Sequence, residues 1–348
     1  MNKTLLIILL FISIKINAQQ SAYYQNALGK NGTVLQDELH NIIKNHNYQI
    51  WPLWSHFYNT DEKSPNQVWD IYSDIPGGTA PYTFQFGADE CGTYTKESDC
   101  YNHEHVWPKS YFGGDVYPMR SDLHHLLPTD GWVNNKRGNF PYGKVSSTSW
   151  TSDNGSKLGT SSSFPSYGND VFEPIDSFKG DVARIYFYMA TRYKTEDAGW
   201  QNWPMANQSQ LTPAAITLLL SWHHLDSVSQ KELDRYDAVF GIQNNRNPFV
   251  DYPIFADCIW GTADCKPLSN PILEKQKLVF YPNPANDYLF FENENDFNYS
   301  IFSIEGKKIE EGKIEGNKIS IAHLQQGNYY LKCKNAHTTF QSIFVKKD

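Results

Sequence analysis

Apolar positions recur at helical spacing in the first three quarters of the chain and alternate in the last quarter. From Leu35 to Asn47, Gly180 to Arg192 and Thr212 to Leu225, hydrophobic residues return every three or four positions, the period of a helix with one buried face. Thr212-Pro213 opens the third stretch as an N-cap followed by a proline at the first helical position. The segment from Ser146 to Tyr167 is rich in Ser and Gly and predicts a surface loop. Beyond Lys266-Pro-Leu-Ser-Asn-Pro271 the runs shorten to Leu278–Tyr281, Tyr288–Glu292, Tyr299–Ile304, Lys318–Ile321, Tyr329–Cys333 and Phe340–Lys346, punctuated by Gly306, Gly312, Gly316 and Gly327. That texture predicts a small antiparallel β-sandwich. The expected division is residues 1–18 as a leader, 19–264 as an α+β domain, 265–276 as a linker and 277–348 as the sandwich.

The leader has the layout of a cleaved secretory signal: Lys3, an apolar Leu5–Ile14, and Ile16-Asn-Ala18 before Gln19. Its apolar stretch is about half of the roughly 20 residues a membrane helix needs, so no stable membrane span is expected. Loss of Lys3 and Lys15 takes the formal charge from -8 to -10, with 28 basic against 38 acidic residues. A chain of that sign repels phosphates, so any polyanion must meet Lys and Arg gathered locally. Export also makes disulfides the expected state of Cys91 with Cys100 and of Cys258 with Cys265, since neither spacing is the C-x2-C of a zinc knuckle. Cys333 is left unpaired in the other module.

The densest chemistry lies in Cys100-Tyr-Asn-His-Glu-His-Val-Trp-Pro108 and in the segment from Arg120 to Phe140. Together they supply carboxylates, imidazoles and carboxamides, the set that holds one hard cation beside a general base. Successive strand residues point to opposite faces, so Glu104 and His105 share a reaction centre only where the strand ends, and Pro108 with Gly113-Gly114 predicts that end. Asp130 predicts the N-cap of a short helix carrying Asn134 and Arg137 and stopped by Gly138. Glu104 and Asn134 then offer two oxygens to Mg2+, which takes few protein ligands when phosphates and waters complete its sphere. His105, with an ordinary pKa of about 6.5, is the expected base. Asp122, His124, His125 and Asn139 are read equally well as structural support, and neither H-E-x-x-H nor H-x-x-E-H occurs to favour a zinc hydrolase.

These segments closely resemble the bacterial endonuclease I family, extracellular or periplasmic nucleases with a ββα-metal (His-Me finger) core. Val68-Trp-Asp-Ile-Tyr-Ser-Asp74, Lys179-Gly-Asp-Val-Ala-Arg184 with Phe187-Tyr-Met189, and Gln243-Asn-Asn-Arg-Asn-Pro-Phe249 are similar to further blocks of that family, so the resemblance spans about residues 25–255. It implies His105 as general base, Glu104 and Asn134 as catalytic metal ligands, and Mg2+-dependent cleavage of DNA, and often RNA, to 5′-phosphate ends with little sequence preference. The chain departs from the pattern at His125, where proteobacterial periplasmic members commonly carry Asn. It also departs in a shorter hairpin holding Lys109 and Arg120, so Arg120 and Arg137 are the candidate substrate contacts. Tyr281-Pro-Asn-Pro-Ala285, Leu324-Gln-Gln-Gly-Asn-Tyr-Tyr-Leu331 and Val345-Lys-Lys347 resemble the C-terminal sorting domain of type IX-secreted Bacteroidetes proteins, which implies the type IX machinery as partner and an extracellular or cell-surface location. Alternatives are a metal-dependent phosphodiesterase on smaller substrates, a catalytically silent nucleic-acid-binding relative and, for the last module, a surface-binding sandwich, against which stands its lack of Trp.

Overall fold

The structure is a computed structural model that describes residues 22–162, 170–266, 280–291, 297–304, 307–314, 316–334 and 339–347. The expected leader, and all but the first two residues of the expected linker, lie outside these. The chain forms two compact units, dividing between Ser269 and Asn270.

The first unit is mixed α+β. Its helices are α1 (Gly32–Ile43), α2 (Trp54–Thr60), α3 (Gly131–Arg137), α4 (Lys179–Arg192), α5 (Pro213–Leu225) and α6 (Gln230–Gln243), followed by two short helical segments. The strands come in small antiparallel groups: β1 (Glu62–Ser64) with β2 (Gln67–Val68), β3 (Tyr101–His105) with β4 (Leu126–Asp130), β5 (Val145–Thr151) with β6 (Lys157–Ser161) and β7 (Asp170–Glu173), and β8 (Ala206–Asn207) with β9 (Gln210–Leu211). With no large sheet to organise it, the unit is built around α4, all 14 of whose residues are buried. A helix apolar or paired all round belongs in a core. α1 and α5 pack on α4, and its charged Arg184 is neutralised by a two-point pair with Glu232 of α6, at 2.7 and 2.6 Å.

Two sequence expectations are corrected here. The stretch from Ser146 to Tyr167 is not a loop over its described part. β5 and β6 form a hairpin turned at Ser152–Ser156, where Gly155 takes a φ of 101°, and residues 163–167 lie outside the described residues. Most of β5 is solvent-exposed, so it carries no alternating apolar signal, and its serines instead donate across the hairpin, Ser146 Oγ to Thr160 O at 2.9 Å and Ser149 Oγ to Leu158 O at 3.0 Å. The first helix also ends at Ile43 rather than Asn47, because Lys44 is already extended.

The second unit consists of β10 (Phe280–Tyr281), β11 (Tyr288–Phe291), β12 (Asn298–Ser303), β13 (Lys308–Lys313), β14 (Lys318–Ser320), β15 (Gly327–Lys334) and β16 (Thr339–Lys346). They form two antiparallel sheets, β10-β11-β14 and β13-β12-β15-β16, around one apolar core that includes Leu289, Ile301, Leu331 and Phe344. β13 escaped the sequence reading because Lys308-Ile-Glu-Glu-Gly-Lys313 has no fully buried position and no apolar alternation. Tyr281, Tyr288 and Phe290 stand exposed beside one another, so an aromatic platform, which the absence of Trp argued against, is present as Tyr and Phe. Among the described residues no helix is long and apolar enough to cross a membrane.

Gly180, near the start of α4, is where the packing is least tolerant. A Cβ there would lie 2.0 Å from the main-chain oxygen of Asp226 and 2.7 Å from the Arg184 guanidinium. Gly180→Ala should therefore lower unfolding free energy by about 1–3 kcal/mol, the usual scale for overpacking, measured by denaturant titration. Unchanged stability would mean that the Asp226 turn yields freely.

Candidate active site

The site grows from β3, β4 and α3, which follow one another as strand, strand and helix. Tyr101 pairs with Asp130 and His105 with Leu126, so Asp130 ends β4 opposite the start of β3. Asp130 then caps α3, its Oδ1 accepting from Trp132 N at 2.8 Å and Val133 N at 2.9 Å. Strand alternation sorts the chemistry onto two faces. Tyr101, His103 and His105 face Trp54, Trp51 and Phe112, whereas Asn102 and Glu104 face α3. The strand stops at His105, and at that end Glu104 and His105 both border one cleft of ≈ 260 Å³, together with Asn134, Lys109 and Asn139.

Glu104 is 2% exposed. Its named contacts gather on Oε1: Tyr72 Oη at 2.8 Å, Arg137 Nη1 at 3.3 Å and Tyr142 Oη at 3.4 Å. Burial raises its carboxyl above the usual range, while Arg137 and the two tyrosines pull the other way. Asn134 donates through Nδ2 to Asn102 Oδ1 at 2.7 Å and His103 O at 3.2 Å. Because a main-chain carbonyl only accepts, the amide nitrogen must face β3, and Oδ1 is left as the outward atom.

His105 is fixed from the other side. Its Nε2 lies 2.9 Å from the main-chain oxygen of Arg120, so Nε2 carries the proton and the neutral ring keeps its lone pair on Nδ1. Burial first, and then neighbouring His125, His103 and Lys109, hold the ring well below an ordinary histidine, against the bond to Arg120. Burial likewise pushes His103 down to about 3, so it packs as an uncharged ring against Trp51, Trp54 and Phe57.

The turn that presents Arg120 O, at Met119–Ser121, is anchored by a buried polar hub. Asp122 accepts from Tyr188 at 2.8 Å and Tyr193 at 2.7 Å, both near the end of α4, from Gln243 at 3.0 Å and from His124 N at 2.9 Å. His125 Nε2 meets Met119 O at 2.7 Å, and His124 Nε2 meets Asn245. Asn139 lines the cleft and accepts from Tyr111 through its main-chain oxygen at 3.3 Å.

The two candidate arginines part company. Arg120 is half-buried, with its guanidinium 4.9 Å from the Trp51 ring centre and 5.9 Å from that of Tyr117. Arg137, which also borders the cleft, is 1% exposed and places Nη1 on Glu104 and on His105 O at 3.1 Å and Nη2 on Val106 O at 2.5 Å. Its expected role as a substrate contact does not fit this burial, because the side chain is consumed in bracing the strand end. Sequence reasoning also missed Tyr72, Tyr142 and Asn102, although Tyr72 lies in the Val68–Asp74 block. Both expected disulfides, Cys91–Cys100 and Cys258–Cys265, are formed, and Cys333 is free and buried.

Comparison with known proteins gives this strand–strand–helix site its class, the secreted nucleases. A family model described as Endonuclease I matches residues 31–254, and the chain belongs to that family. It is 35% identical over 254 residues to an extracellular ribonuclease of Bacillus amyloliquefaciens and 34% identical over 253 residues to one of Bacillus subtilis (strain 168), in each case across 70% of this chain and 80% of the relative. An endonuclease-1 of Buchnera aphidicola subsp. Baizongia pistaciae is 32% identical over 132 residues, 38% of this chain and 46% of that protein. Residues 279–347 match the secretion system C-terminal sorting domain, here of the type IX system, which routes the chain to the cell surface or beyond.

Arg137→Met keeps the length of the side chain but leaves the Glu104 carboxylate buried without its cation. It should lower unfolding free energy by about 3–5 kcal/mol, the cost of breaking a buried pair from one side, as read by denaturant titration. A variant of wild-type stability with only a raised KM would return Arg137 to the substrate side.

Proposed function

We propose that the protein is a secreted, sequence-non-specific, Mg2+-dependent endonuclease that hydrolyses phosphodiester bonds of DNA and RNA to 5′-phosphate ends. The observation that carries this reading is the His105 ring, held by Arg120 O in one tautomer at a strand end that shares a cleft with Glu104 and Asn134. The names of the relatives, extracellular ribonuclease and endonuclease-1, support a nuclease and, from the first of them, RNA as one substrate class.

The donor set suits a hard cation. With Oε1 of Glu104 held by tyrosines and Arg137, and with the Asn134 amide nitrogen turned to β3, Glu104 Oε2 and Asn134 Oδ1 are the two oxygens left to offer. Two oxygens from the protein leave most of the sphere to waters and phosphate oxygens, the coordination Mg2+ prefers. When bound, the cation would offset the negative charge that builds on the phosphate in the transition state.

The chain's own residues supply the rest. His105 Nδ1 takes the proton from the attacking water, and Arg120 O, bound to Nε2–H, steadies the imidazolium that results. Lys109, 54% exposed in its side chain, and Arg120 share one carboxylate, Asp115, at 3.0 and 3.5 Å, so the pair keeps a net positive charge at the rim, where an acidic chain must concentrate it to meet a polyanion. Contacts to phosphate rather than to base edges would leave cleavage indifferent to sequence.

Incubation of the full chain with supercoiled plasmid and with RNA, each with Mg2+ and with EDTA, tests the proposal, with a small phosphodiester run alongside. Cleavage of both polymers that EDTA abolishes is expected, and turnover of the small ester alone would favour the phosphodiesterase reading. His105→Ala should lose roughly 10²–10⁴-fold in rate, the usual worth of a general base, while binding Mg2+ as wild type does; near-normal cleavage would remove His105 from the mechanism. Asn134→Ala and Glu104→Ala should raise the Mg2+ concentration needed for half-maximal rate, with partial recovery at high Mg2+. An identical Mg2+ dependence in both variants would show that the cation is held elsewhere.

A further inference from the structure

Beside the cleft that holds Glu104 and Asn134 lies a second hollow of ≈ 310 Å³, bordered by Trp51, Trp54, Asn102, His103, His105 and Lys109. Asn102, His103, His105 and Lys109 border both spaces, so the two adjoin along one shared wall. The new wall is aromatic and already fixed. Trp51 donates its main-chain N–H to Tyr117 Oη at 3.3 Å and lies nearly parallel to the His105 ring, 13° apart at 6.1 Å. Trp54 rests edge-on against Tyr101 at 5.4 Å and tilted by 58° against His103 at 3.8 Å. Both indoles are only half-buried. From Trp51 the aromatic surface continues outward through Tyr117, 38% exposed, to Tyr48, 55% exposed, whose rings are 5.5 Å apart. Arg120 lies against Trp51 and Tyr117 along this path.

We propose that this hollow is a nucleobase subsite, and that Trp54, Trp51, Tyr117 and Tyr48 form a track for the unstacked bases of a single-stranded nucleic acid running past His105. Its position beside the reacting phosphate rests on the nuclease reading above. A base is joined to its phosphate through one sugar, so a hollow sharing a wall with the phosphate cleft is where the neighbouring base of a bound strand falls. Stacking on aromatic rings accepts every base, because each has a π-face, and a cationic groove beside the rings tracks the backbone. Lys109 lines the hollow and Arg120 lies against Trp51, and because the two share the single carboxylate of Asp115 the rim keeps a net positive charge beside the rings. Bases in a duplex are paired and stacked and do not enter, so single strands and unpaired RNA are the favoured ligands of this surface.

The test compares two fluorescent single strands of equal length and equal phosphate number, one bearing bases and one abasic throughout, bound to the full chain in EDTA and read by anisotropy. Stacking of one base is worth about 1–3 kcal/mol, roughly 5- to 150-fold for each base that stacks, so the base-bearing strand should bind at least about 5-fold tighter. Trp54→Ala should lower that ratio by the share of one stacked base, about 5-fold or more, and Trp54→Phe should keep most of it. Equal affinity of the wild type for the two strands overturns the proposal without need of any variant. So does a Trp54→Ala protein that binds both strands more weakly but keeps the ratio. Mg2+ added to the same mixtures separates the two readings: a base-dependent ratio with no cleavage keeps the subsite and sinks the nuclease, whereas cleavage without such a ratio keeps the nuclease and sinks the subsite.

Discussion

A carboxylate taken out of water must be met by donors, and the burial of Glu104 organises this protein's first unit. Its partners come from three places in the chain: Tyr72 before the hairpin, Arg137 on the helix after it, and Tyr142 beyond that helix. Bringing them together fixes α3 against β3, and Arg137 then ties down the strand end by binding the oxygens of His105 and Val106. Tyr186 of the central helix reaches the same Val106 oxygen at 3.1 Å. One ionised group thus explains why a five-residue strand with a single full neighbour holds a defined geometry.

The sequence carried the local half of this arrangement. The Asp130 cap, the Gly138 stop and the end of β3 before Pro108 follow from turn and capping chemistry, which acts over a few residues and is readable there. The partners of Glu104 lie 32 to 38 residues away and appear in the sequence only as aromatic residues among many. Arg137 could be read either as a phosphate contact or as a buried counter-ion, and only burial distinguishes the two. The hub around Asp122 shows the same limit, since Gln243 is 121 residues distant in sequence. The blocks that carried the resemblance, Val68–Asp74, Lys179–Arg184 and Gln243–Phe249, contribute Tyr72, the buried Arg184 pair and the Gln243 and Asn245 contacts to the scaffold. Much of what marks the family in those stretches is therefore support rather than chemistry. Where no face is buried, as in β5 and β13, alternation is absent and the strands went unseen.

The two units solve different problems with different materials. The first uses buried ion pairs and tyrosine hydroxyls to hold a polar site within an aromatic core, and one of its disulfides closes just ahead of β3. The second has no comparable polar centre among its described residues and is held by alternating apolar positions between two sheets. That contrast fits an enzyme domain joined to a sorting domain, one keeping reactive groups at fixed angles and the other offering a surface for recognition.

The contact between His105 and residue 120 has a consequence for how such a protein can diversify. The imidazole is oriented by a peptide oxygen, an atom that every amino acid supplies equally, while the side chain of the same residue projects toward Trp51 and Tyr117. Substitution at position 120 can therefore alter the chemistry of the rim without disturbing the tautomer of His105. Two duties held at one residue are separable by mutation: the side chain at the rim can change in single steps while the peptide oxygen keeps the imidazole in place.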